Sequence, residues 1–150
     1  DPHHFMDFVH DIDLSTLGYD AALDEGIDAL PGRKVIFTNG SNQHAERILD
    51  AYGIRHHFDF YYDIFSANYL PKPEIKTYED FVKKADINPR SAVMIEDMAI
   101  NLLPAYQLGV TTLWLDHPDE DVPSEGRTDD LSHIHYIARD LKHFLSYTNK

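Results

Sequence analysis

The chain has 150 residues, 43% hydrophobic and 26% charged, enough for one domain whose core needs no covalent staples. Twenty-six acidic residues against 13 Lys and Arg give a formal net charge of -13, which repels nucleic acid and anionic membrane surfaces. No apolar run is long enough to span a bilayer, and the lack of cysteine suits a reducing compartment, so a cytoplasmic protein with no nucleic-acid or membrane partner is expected.

In chain order, the first clear element is an apolar strand over Arg33–Thr38, set between the turn signals Pro31-Gly32 and Asn39-Gly40. Ser41 then caps a helix with apolar positions Ala45, Ile48, Leu49 and Tyr52, and Gly53 stops it. Phe58–Phe65 reads as an aromatic strand, and Tyr78, Phe81, Val82 and Ala85 mark a second helical stripe. Ala92–Ile95 is a short buried strand, followed by a helix between Met98 and Leu108 that Pro104 should kink and Gly109 end. Val110–Leu115 is a further strand, with Trp114 as a core residue. An acidic surface loop follows over His117–Thr128, and a final helix is predicted over Ile134–Leu145.

Strands alternating with helices of 10–15 residues predict an α/β fold: a three-layer α/β/α, Rossmann-like arrangement around a parallel sheet. Such sheets bind ligands beyond the C-terminal ends of their strands. The polar groups expected there are Thr38-Asn39-Gly40, Lys72 between Pro71 and Pro73, and Glu96-Asp97. Each has a plain local reading: a turn, a solvated lysine, a helix cap. Together they suit phosphoryl transfer. A hydroxyl and backbone N–H groups grip phosphate oxygens, a lysine neutralises developing charge, and adjacent carboxylates hold Mg²⁺.

The order Thr, Lys, Asp resembles the second, third and fourth motifs of the haloacid dehalogenase (HAD) superfamily, through Phe37-Thr38-Asn39-Gly40, Pro71-Lys72-Pro73 and Ile95-Glu96-Asp97-Met98-Ala99-Ile100-Asn101. A response-regulator receiver uses the same residue types, but its acids come first and its lysine last. More narrowly, Phe8-Val9-His10-Asp11-Ile12-Asp13, Leu30-Pro31-Gly32-Arg33-Lys34 and His44-Ala45-Glu46-Arg47 resemble the pyrimidine 5′-nucleotidase branch. The resemblance implies a Mg²⁺-dependent phosphatase acting through an aspartyl-phosphate on a small phosphorylated substrate, a nucleoside monophosphate. It also implies that Thr38, with Asn39 and Gly40, binds the phosphate, that Lys72 bridges it to the nucleophile and that Asp97 binds the metal. Glu96 is then a metal or supporting acid, and Asn101 supports the loop.

The family's nucleophile motif, Asp-x-Asp-x-Thr at the end of a first central strand, has no clear counterpart. Asp11-Ile12-Asp13-Leu14-Ser15 comes close to it, but residues 1–10, with three His and Val9 as the one β-branched residue, make a poor central strand. The expectation is therefore that residues 1–30 are a remnant of a helical cap, that residues 31–150 form a HAD-like core without its first strand, and that the nucleophile precedes this chain. Asp11, with Asp13, is the second reading. A sheet lacking that strand exposes two inner edges, to be filled by the N-terminal segment or by a second copy in a homodimer. The alternative function is a catalytically incomplete phosphate-binding or interaction module. His3-His4, His56-His57 and His133/His135 lack a coherent ligand pattern and read as surface residues.

Overall fold

The computed structural model describes residues 14–117 and 128–148; Asp11, Asp13 and most of the acidic loop lie outside them. The fold is α/β with parallel sheets, in two compact units: one runs to Tyr69 and takes in the chain from Leu145, the other is Leu70–Phe144. Among the described residues, no helix is long and apolar enough to cross a membrane.

In the first unit, helix α1 (Ala21–Asp28) starts at Asp20, whose carboxylate accepts from the Leu23 N–H at 3.1 Å. Gly26 and Ile27 are its buried residues. A Cβ on Gly26 would stand 2.9 Å from the Leu145 Cβ, so only glycine lets the two segments approach this closely. Strand β1 (Lys34–Phe37) pairs in parallel with β2 (Phe58–Tyr62), Ile36 opposite Tyr61 and Phe37 opposite Tyr62. Between them, helix α2 (Asn42–Tyr52) has the expected signals at both ends. The Ser41 hydroxyl accepts from the His44 N–H at 3.2 Å, and Gly53 closes the helix in the left-handed region at φ 73°. Strand β2 stops earlier than its aromatic run suggests. Asp63 is 4% exposed and bends the chain, its carboxylate accepting from the Ser66 N–H and hydroxyl and from the Asn42 N–H.

In the second unit, helix α3 (Ile75–Lys84) buries Thr77 and Tyr78, followed by β3 (Val93–Glu96), helix α4 (Leu102–Gln107), β4 (Thr111–Leu115) and β5 (Tyr136–Ala138). The order β3-β4-β5 is parallel throughout. Helix α5 (Leu141–Thr148) follows, opened by the Asp140 carboxylate accepting from the His143 N–H at 2.7 Å.

Three further expectations change. Pro104 does not kink its helix, because a 3₁₀ turn (Ala99–Asn101) comes first and places Pro104 in the first turn of α4, where its missing N–H has no partner to lose. The helix expected from Ile134 begins only at Leu141, since Tyr136–Ala138 pairs with Leu113–Leu115 as an edge strand. Strand β3 is not fully buried: Val93 is 59% and Ile95 37% exposed on one face, while Met94 and Glu96 on the other face are covered.

Candidate active site

Glu96 ends β3, and its carboxylate meets the Lys72 ammonium at 2.5 Å, with both side chains 8% exposed. Lys72 lies in a turn rather than an extended stretch: its bond to Pro73 is cis, and the Glu74 N–H donates to the Pro71 carbonyl at 3.0 Å. Thr77 adds a tether by donating from its hydroxyl to the Leu70 carbonyl at 2.6 Å. Glu96 also turns inward, its other oxygen accepting from the Met98 N–H at 3.3 Å. Asp97 is exposed where the strand surfaces. Burial pushes the Glu96 carboxyl up, against the pull of Lys72, while hydrogen bonding from Glu96 holds Asp97 below the ordinary aspartate value. Of the two neighbours, Asp97 therefore carries the more persistent negative charge, and it is the acid open to a cation.

The loop behind these acids is pinned through three of its carbonyls. The Trp114 indole N–H donates to the Asp97 carbonyl at 2.9 Å, His133 Nε2 to that of Ala99 at 2.9 Å, and the Tyr78 hydroxyl to that of Asn101 at 2.5 Å. Asn101 is 3% exposed and Ala99 fully buried. His133, expected on the surface, is 4% exposed; its own carbonyl accepts from the Thr112 hydroxyl at 2.7 Å, which fixes the ring's approach. Trp114, expected in the core, is only half-buried and bonds through its indole N–H. None of these three clamps could be read from spacing, because each joins residues 17 to 34 positions apart.

Thr38, Asn39 and Gly40 follow β1 directly and belong to the first unit, whereas Lys72, Glu96, Asp97 and Asn101 belong to the second. Two backbone bonds to the β2 side shape this loop, from the Thr38 N–H to the Tyr62 carbonyl at 3.0 Å and from the Ile64 N–H to the Gly40 carbonyl at 3.2 Å. The Thr38 hydroxyl accepts from the Gly40 N–H at 2.9 Å, which leaves its own proton available for an acceptor such as a phosphate oxygen.

Residues 7–109 match the family model of haloacid dehalogenase-like hydrolases. The chain belongs to this family. As a HAD-like hydrolase it is similar in fold to a HAD phosphatase from Thermococcus onnurineus, with 20% identity, TM-score 0.65, and 85% of this chain and 55% of that one covered. The HAD-hydrolase YfnB of Bacillus subtilis, bound to magnesium, is 15% identical with TM-score 0.64 over 84% of this chain and 54% of that one. The L-2-haloacid dehalogenase of Xanthobacter autotrophicus is 12% identical with TM-score 0.63 over 83% and 58%. This HAD-like chain thus spans little more than half the length of these structures. No curated protein sequence matches it.

Proposed function

We propose that the chain carries the phosphate- and metal-handling part of a Mg²⁺-dependent phosphomonoesterase, a nucleotide 5′-phosphatase of the pyrimidine 5′-nucleotidase branch whose complete form acts through an aspartyl-phosphate. The observation that supports this most is the end of β3: a lysine buried against Glu96 beside an exposed, readily ionised Asp97. Both phosphatases and dehalogenases stand among the structural neighbours. A carboxylate open to a hard cation suits the doubly charged phosphate more than a haloacid, which carries one charge and releases halide.

In this reading Thr38 donates its hydroxyl proton to a phosphate oxygen, with the Asn39 and Gly40 backbone beside it. Lys72 neutralises charge on the transferring group, oriented by its bond to Glu96. Asp97 holds Mg²⁺, a cation that takes one or two carboxylates and completes its shell with water and phosphate oxygens. Glu96 is a supporting acid, since its two oxygens serve Lys72 and Met98. The bound ion supplies charge neutralisation at the phosphate.

The test is hydrolysis of p-nitrophenyl phosphate and a panel of nucleoside monophosphates with Mg²⁺ by the full-length protein and by its Lys72→Ala and Asp97→Asn forms. Lys72→Ala should lower kcat by about 10²–10³, as loss of one preorganised electrostatic contact does. Asp97→Asn should abolish Mg²⁺ binding. A full-length protein that binds phosphate and Mg²⁺ but hydrolyses none of these esters would leave the binding-module reading; unchanged Mg²⁺ affinity in Asp97→Asn would overturn the metal assignment.

A further inference from the structure

The first unit holds a second convergence of ligating side chains, on residues with no part in the proposed hydrolysis. Helix α1 presents Asp24 and, one turn later, Asp28; a 3₁₀ turn (Arg55–His57) just before β2 presents two adjacent imidazoles. Their ring centroids lie 3.9 Å apart, with the planes tilted by 40°. His57 Nε2 lies 2.6 Å and His56 Nε2 3.5 Å from the same oxygen, Asp24 Oδ1, and one ligand atom from each of the three residues falls within 4.8 Å of the others. The other Asp24 oxygen is occupied by the Tyr19 hydroxyl at 2.8 Å, which turns Oδ1 toward the histidines.

A hydrogen bond to one imidazole would satisfy Asp24 Oδ1, yet two Nε2 atoms approach it. In a tetrahedral Zn²⁺ site with bonds near 2.1 Å, ligand atoms stand about 3.4 Å apart. The His56 separation already matches that edge, and the His57 contact need open by less than about 1 Å once a cation replaces its shared proton. Asp28 Oδ1 lies 3.9 Å from His57 Nδ1 with its side chain 82% exposed, so it adds negative charge near the ring without a hydrogen bond to it. The His57 side chain is 6% and that of Asp24 21% exposed, while that of His56 is 63% exposed, so the group is anchored inside and open to entry from one side. Asp20, Asp24, Glu25 and Asp28 around α1 make the local field attractive to cations. Two imidazoles with one carboxylate favour a transition metal over Mg²⁺ or Ca²⁺.

We propose that Asp24, His56 and His57 bind a divalent transition-metal ion of the Zn²⁺ type. The ion cross-links α1 to the turn before β2, segments 33 positions apart in the chain. The site would stabilise the first unit rather than react, and it stands or falls independently of the phosphatase reading.

The experiment titrates the whole chain with Co²⁺ and Zn²⁺ in the presence of excess Mg²⁺, read by calorimetry, by visible Co²⁺ absorption and by thermal melting. One ion should bind, with an imidazole-type Co²⁺ spectrum and a raised Tm. His56→Ala, an exposed position that leaves the fold intact, should weaken binding by at least the roughly 10–100-fold that loss of a mere outer partner costs. His143→Ala, an exposed histidine on α5, should change nothing. Absence of binding in the unaltered chain, or equal binding in His56→Ala because the ion sits on other histidines such as His3 and His4, overturns the proposal.

Discussion

Lys72 and Glu96 share a desolvated contact, and a charge left alone there has nowhere to find solvent. Lys72→Ala should cost about 3 kcal/mol in a urea melt, the low end for a broken buried pair, because Glu96 is already pushed up by burial and can take a proton. Replacing both together, as Lys72→Met with Glu96→Leu, should recover most of that loss while leaving the protein inactive. Tyr78 offers a test with pH. Burial lifts its hydroxyl far above the ordinary tyrosine value of 10.0, so the unfolded chain ionises first as pH rises. The stability it contributes is complete below about pH 10 and declines above it. Tyr78→Phe should cost about 1–3 kcal/mol at neutral pH through the orphaned Asn101 carbonyl, and show a shallower decline in alkaline melts. The placement of Thr38 and Asp97 just past β1 and β3 was legible in the sequence, because each follows an apolar run. The side chains that hold the Ala99 and Asn101 carbonyls were not: Tyr78 looked like one more apolar position of a helix, and His133 like a surface residue.

At the level of elements, local chemistry carried most of the information. Ser41 and Gly53 bracket α2 as their residue types require, and the strands after Gly32 and Gly109 start one residue later than the expected Arg33 and Val110. Ser41→Ala should cost about 1 kcal/mol as a lost cap. Gly53→Ala should cost more, about 1–2 kcal/mol for the left-handed backbone plus displacement of the Tyr19 ring, which lies 2.7 Å from where the Cβ would stand. Both are readable as chemical-denaturation midpoints. Strand β5 was missed because Tyr136-Ile137-Ala138 is too short to show a period, and pairing with β4 decides its state. Asp140, a good N-cap, was the overlooked sign that the helix starts after it. The shift of Pro104 into a first turn likewise depends on the 3₁₀ turn before it, which no apolar pattern announces.

For the molecule as a whole, the decisive contact is the one between Gly26 and Leu145. Leu145 is 1% exposed, and trimming it to Ala should cost about 2–5 kcal/mol, depending on how far α1 relaxes into the space. Gly26→Ala should also destabilise, because overpacking of about 1–3 kcal/mol exceeds the roughly 1 kcal/mol that alanine adds to a helix. No pattern of apolar spacing linked these positions, since they lie at opposite ends of the chain. That link also sets an order of events on the ribosome. The segment from α1 to β2 leaves the exit tunnel early, but its core is missing a wall until Leu145 has been made. A nascent chain stalled before Leu145 should therefore be cleaved by protease within that early segment, and one stalled far enough downstream to expose Leu145 should resist.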